Sequence, residues 1–71
     1  MINLEDIDNI TICKDELIVQ LKDGRRGVDR FRNYERLRNA NESQRNNYTL
    51  SYYGLHWPEI DEDLSFDGFF N

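Results

Sequence analysis

The stretch "LIVQLKDG", Leu17 to Gly24, leaves this chain few ways to fold. Leu17, Val19 and Leu21 alternate with Ile18 and Gln20, a period of two that lines one face of a β-strand. Asp23-Gly24 then ends the run. Glycine accepts the positive φ that a primed hairpin turn requires, so the chain must reverse there into an antiparallel partner. Upstream, Ile10 and Ile12 alternate with Thr11 and Cys13, and Asp15-Glu16 supplies a polar tight connection. Downstream, Val28 and Phe31 continue a third strand. The first half therefore reads as a three-stranded antiparallel meander.

The period changes after Asn33. Tyr34, Leu37 and Arg38 carry helical spacing, with Asn33 as the cap of a short helix. "NANESQ" breaks and restarts it. Asn41 is the next N-cap, Gln44 sits where a capping-box partner reaches back, and Glu42 suits the positive end of the helix dipole. Strand character returns with Tyr48, Leu50 and Tyr52 on one face and Thr49, Ser51 and Tyr53 on the other. Gly54 marks a turn or bulge, and Leu55 to Trp57 form the last strand. Pro58 ends it for want of an N–H. Asp63 or Ser65 then caps a final short helix whose apolar stripe is Leu64, Phe66, Phe69 and Phe70. The expected fold is one small α+β domain over residues 1–71. It combines a small antiparallel sheet, the meander plus a C-terminal hairpin, with two or three short helices on one face.

A chain of 71 residues with one Cys has no intramolecular disulfide to staple it. One Cys and one His also fall short of a structural zinc site. The fold must rest on its core, which nine aromatic residues can anchor although only 38% of the chain is apolar. No run reaches the length of a membrane span. The acidic N-terminus lacks the basic region of a secretory signal, so a cytoplasmic, reducing setting is expected.

Charge is segregated. Residues 22–45 hold eight basic side chains against four acidic ones, net +4; the remainder holds Lys14 against ten acids, net −9. The plain reading is that the acidic ends fold back on the basic middle or that all of it is solvated. The Arg run from Arg30 to Arg38, with Phe31 and Tyr34 interleaved, raises nucleic-acid binding. A net charge of −5 and a pI near 4.6 argue against it.

"GLHWPEIDED" holds the only His, Trp and Pro of the chain, followed by four carboxylates. H-E-x-x-H and the Asp-rich calcium loop are absent from the sequence. The block reads as a strand ending in a turn that starts a helix, with acids at the helix N-terminus. Trp57 is a core anchor, and His56 faces solvent or holds one hydrogen bond. Cys13, inside a strand, reads as a small buried residue. Tyr52 and Tyr53 point to opposite faces, one into the core and one outward as an interface residue.

From Tyr34 onward the sequence is similar to the bacterial domain of unknown function 2442. The likeness rests on Tyr34, Arg36 and Leu37; Asn39 and Ala40; Gln44 and Arg45; Gly54 to Trp57; and Asp61 to Ser65, with the "LKDGRRGVDRF" hairpin upstream. It covers about residues 10 to 70. It departs at Glu35, where a Pro is common, and in lacking a further helical, repressor-like segment that some relatives carry. The resemblance implies a small α+β domain with no established enzymatic activity. It also implies genes that often sit beside a small partner protein in toxin–antitoxin-like pairs. It supports the turn reading of the acidic block, whose carboxylates would meet helix N–H groups or an Arg from the middle, Arg45 first.

The expected function is a non-enzymatic protein-binding module, antitoxin-like, that neutralises or regulates a partner. Its alternatives are an acidic inhibitor blocking a nucleic-acid-binding site on another protein, or a DNA-binding regulator. No catalytic, metal or cofactor residues are expected. The candidate structural or partner-binding residues are Arg36, Arg45, His56, Trp57, Asp61 and Asp63. The expected partner is a small basic protein, with a homodimer as a further option.

Overall fold

The computed structural model describes residues 1–70. A 3₁₀ turn, Leu4–Asp6, leads into strands β1 (Ile7–Cys13), β2 (Glu16–Leu21) and β3 (Arg26–Arg30). A second 3₁₀ turn, Phe31–Asn33, precedes helices α1 (Glu35–Arg38) and α2 (Glu42–Asn46). Strands β4 (Thr49–Leu50), β5 (Gly54–Trp57) and β6 (Glu62–Ser65) follow, then a last 3₁₀ turn, Asp67–Phe69. The strands make two antiparallel three-stranded sheets, ordered β1-β2-β3 and β4-β5-β6. The fold is α+β, as the sequence pattern implies.

The meander forms where the alternation places it. Leu17, Val19 and Leu21 are all buried, and Ile10 and Ile12 pack beside them. Both turns use left-handed backbone, at Lys14 (φ 56°) and Gly24 (φ 96°). The first connection is thus Lys14-Asp15, one residue earlier than the polar pair suggests. Cys13 faces solvent, not the core, because Ile10 and Ile12 take the inward positions of β1.

Strand β3 departs from expectation. Val19 pairs with Gly27, so Gly27 and Asp29 face inward and Val28 is exposed. Gly27 is required there. A Cβ at that position would run into the backbone carbonyl and Cβ of Phe69, so the C-terminal turn seats directly on a strand with no side chain. Phe31 does not extend β3; it opens the 3₁₀ turn as a buried core residue. Asn33 caps nothing. Tyr34 occupies the N-cap of α1 without a side-chain bond, and Asn33 instead donates to Asp29 at 3.0 Å.

Helix α2 forms as its capping box dictates. Asn41 Oδ1 accepts from the Gln44 N–H at 2.8 Å, and Gln44 Oε1 accepts from the Asn41 N–H at 2.9 Å. The C-terminal segment does not form the expected helix. Glu62–Ser65 pairs with β5, with Leu64 opposite Leu55, so Trp57 does not end the last strand. The apolar residues proposed for that helix are nevertheless core: Leu64, Phe66 and Phe69 are buried and Phe70 packs against them. One cluster, including Phe31, Leu37, Leu55 and Trp57, joins both sheets.

Gly27→Ala should lower stability by about 1–3 kcal/mol, the usual cost of overpacking, because the clash is with backbone and cannot relax. Gly68→Ala meets only Ser65 Oγ at 3.4 Å and should stay within about 0.5 kcal/mol. Chemical denaturation of both variants checks the contrast.

Candidate functional site

The six candidate residues resolve into three separate pairs. Trp57 and Arg45 form the first. The indole is fully buried, edge-on to Phe31 at 6.5 Å between centroids and tilted against Tyr48 at 5.9 Å. Its Nε1–H donates to the Arg45 carbonyl at 2.9 Å. The Arg45 side chain does not reach the acidic block. Its Nε donates to the Leu37 carbonyl at 2.9 Å and an Nη to the Arg38 carbonyl at 3.2 Å, over the Phe31 ring at 4.9 Å. The physical reason is local. Carbonyls at the end of α1 keep a free lone pair even where, as at Leu37, a following N–H already bonds them, and a guanidinium in the last turn of α2 is in reach of them.

Arg36 and Asp61 form the second pair. Pro58 to Asp61 make the turn between β5 and β6, and Asp61 holds a left-handed φ of 53°, which Asp tolerates better than most residues. Arg36, not Arg45, meets the acidic block: Nη1 donates to the Asp61 carbonyl and lies 3.9 Å from Oδ2. Both side chains are exposed, so the pair positions the turn more than it stabilises the fold. Gln44 donates to Glu59 at 3.3 Å beside it. The carboxylates do not meet helix N–H groups, since strand β6 stands where that helix was expected. Of the two cap candidates, Ser65 does accept one N–H, from Gly68 at 3.2 Å in the last 3₁₀ turn.

His56 and Asp63 form the third pair, Nδ1 to Oδ1 at 2.7 Å, directly opposite each other on β5 and β6. Thr49 stands opposite His56 on the other side, so a hydroxyl, an imidazole and a carboxylate lie in one cross-strand row. The Thr49 hydroxyl lies 3.5 Å from the His56 carbonyl rather than against the ring. Among the described residues, no three His, Cys, Asp or Glu side chains are grouped to hold a metal ion.

Beside this row lies the feature the sequence reading placed wrongly. Tyr52 and Tyr53 are both exposed, at 45% and 51%, and neither is core. They occupy the tip of the β4–β5 hairpin, where strand alternation has stopped. Their rings stack edge to face at 4.9 Å and 78°. The tip is held by backbone: the Leu4 N–H donates to the Tyr52 carbonyl at 2.7 Å, and the Phe66 N–H to the Tyr53 carbonyl at 2.8 Å. Leu4 and Leu50 are exposed large apolar residues of the same segments. Partial burial and the neighbouring Glu5 raise the Tyr52 phenol above its usual range. A shallow depression of about 190 Å³, bordered by Ser51, Tyr53, Asp63 and Ser65, joins this tip to the third pair.

Part of the charge is met internally. Arg25, Arg30, Arg32 and Arg36 lie within 4.0 Å of Asp23, Glu16, Asp15 and Asp61 respectively. The Arg32 guanidinium, bonded to Asp15, and the Arg25 backbone N–H, bonded to Asp23, hold those carboxyls below their usual range. Four of the eight basic side chains in 22–45 are thus engaged with carboxylates, and Arg45 holds carbonyls. Asp29 is a junction that sequence reading missed. It accepts from the Arg30 N–H at 2.8 Å, from Asn33 and from the Tyr34 hydroxyl. The bond to Asp29 pushes the Tyr34 phenol up to about 12.

Folding therefore tightens the Tyr34 proton. The stability this contributes is complete below the ordinary phenol value of 10.0 and is lost as pH rises through about 12. Melting curves between those limits should show the native chain losing more stability than Tyr34→Phe, whose profile should be flatter.

Comparison with known proteins gives the chain a family without assigning it a role. No curated protein and no solved structure matches the chain. No helix among the described residues is long and apolar enough to cross a membrane. One family model matches residues 7–71, nearly the whole chain, and on that match the chain belongs to the family described as Protein of unknown function (DUF2442).

Proposed function

We propose that the chain is a non-enzymatic protein-binding module that neutralises or regulates a partner, antitoxin-like in mode of action, in a reducing cytoplasm. The Tyr52–Tyr53 pair carries this reading. Two stacked phenols, each about half exposed, sit on a tip whose backbone is tied to both termini of the domain. Tyrosine gives large contact area at low entropic cost, which is why it anchors protein interfaces. The surroundings set the partner's chemistry. Glu5 and Asp6 flank Tyr52, and Asp63 borders the depression beside Tyr53. An aromatic centre with an acidic rim fits a basic protein surface, where the rim steers encounter and the rings supply affinity.

Capture of the partner from host lysate, followed by titration of the purified pair, tests this. Tyr52→Ala combined with Tyr53→Ala should weaken binding by about 30-fold or more, in line with interface anchors. Arg26→Ala, on the other sheet, should leave it unchanged. Affinity should also fall as salt rises. Binding indifferent to the tyrosines would overturn the assigned surface. Displacement of the partner by added DNA or RNA would identify it as a nucleic-acid-binding protein and narrow the role to an inhibitor of that site.

A further inference from the structure

Strand β1 is the longest in the fold and lies at the edge of its sheet. Exposed edges invite pairing, so natural sheets blunt them with charge, proline or shortness. The other three edges here are blunted. Strand β3 carries Arg26, Asp29 and Arg30, β6 carries Glu62 and Asp63, and β4 is two residues long. Strand β1 is not. From Asn9 to Cys13 it reads Asn-Ile-Thr-Ile-Cys, uncharged and rich in β-branched residues.

The direction of its free backbone groups follows from observed bonds. The Leu21 N–H turns towards Arg25 on the β3 side, and the Lys22 N–H turns towards Asp6 on the β1 side. Even-numbered residues of β2 therefore bond β1, through Cys13, Thr11 and Asn9, their register partners. Ile10 and Ile12 are left pointing their N–H and C=O groups outward. Among the described residues no turn, loop or side chain bonds these groups. Space lies alongside: a groove of about 420 Å³ runs between Ile12 and Lys14 on one wall and Glu42, Arg45 and Asn46 of α2 on the other.

We infer that this edge is a homodimer interface, in which β1 of a second copy of the chain adds antiparallel across a two-fold axis at Thr11. Three registers keep the outward groups face to face near the strand centre, and side chains choose among them. Centring on Ile10 sets Ile12 against Asp8; centring on Ile12 sets Ile10 against Lys14. Centring on Thr11 pairs Ile10 with Ile12 twice and brings Asp8, at the bulge, near Lys14, in the turn just after β1, twice. Asp8 and Lys14 are exposed and lack a salt-bridge partner among the described residues, so charge complementarity selects that register. The two Ile10 side chains then enter the two grooves beside α2, and a continuous six-stranded sheet results. The interface is isologous and closes at two copies.

Sedimentation of the full chain should give a dimer at micromolar concentration. Asp8→Lys and Lys14→Asp should each weaken it by about tenfold or more, since each brings like charges together twice. The double variant should restore it. A covalent test reads the register. Residues 9 and 13 on one strand lie about 13 Å apart, too far to bond, whereas across the axis they face each other at about 4.5 Å between Cα atoms. Asn9→Cys should therefore give a disulfide-linked dimer through Cys13 of the second copy under mild oxidation, and the native chain should not. A monomer at all concentrations, or a dimer that ignores charge reversal and fails to cross-link, would overturn the proposal. Circular dichroism of each variant separates loss of pairing from loss of fold.

Discussion

The buried indole of Trp57 is the contact on which the rest of this domain depends. A domain this small buries a limited share of its surface and has no disulfide to compensate. One large side chain must therefore serve several elements. Trp57 takes its place from β5, meets Phe31 from the turn after the first sheet, and meets Tyr48 from the approach to the second. Its single polar atom is answered by the Arg45 carbonyl. The Arg45 side chain then crosses the Phe31 ring and holds the last carbonyls of α1. Four short elements and the approach to β4, none stable alone, are fixed by one aromatic side chain and one guanidinium, and no buried side-chain polar atom among the described residues lacks a partner.

That arrangement explains which parts of the fold could be read in advance. The meander was legible because alternation and an Asp-Gly turn are local signals, and α2 was legible because a capping box is local too. The inward set Leu17, Val19 and Leu21 followed from period alone. What failed depended on contacts distant in sequence. Gly27 looks like a weak point in a strand until Phe69 is seen to occupy the space above it. Once Gly27 faces in, Val28 must face out, whatever its apolarity. The segment Glu62–Ser65 carries acids that suit a helix start, but Leu55 and Gly54 offer an open strand edge, and pairing with it prevailed. Gly54 permits that close approach, since a Cβ there would meet the Leu64 backbone.

The candidate site was legible in composition and not in geometry. His56 and Asp63 were singled out as members of one acidic block; their contact comes from cross-strand register, which the block itself does not encode. The choice of Arg45 over Arg36 for the acids went wrong for a related reason. A cation near a helix C-terminus has carbonyl acceptors close by, and those won over a carboxylate farther off. Tyr52 and Tyr53 were assigned opposite faces by strand alternation. Alternation ends at Leu50, however, and a hairpin tip need not hide either ring.

Part of the segregated charge in the sequence is met within the fold. Arginines of the middle meet acids from residues 15, 16, 23 and 61, at exposed positions where each pair contributes little to stability. Each pair offsets one positive charge of the basic middle with one carboxylate. The surfaces left with unmet capacity are of two different kinds. At the β4–β5 tip the capacity is in side chains, two aromatic rings within an acidic rim. Along β1 it is in the backbone, with charges only at the two ends. Side-chain surfaces select partners by shape and charge, whereas a bare strand edge accepts almost any strand unless its end charges set the register. Asp8 and Lys14 occupy those ends, so the same chain that exposes a general pairing edge also carries the means to restrict it to its own copy.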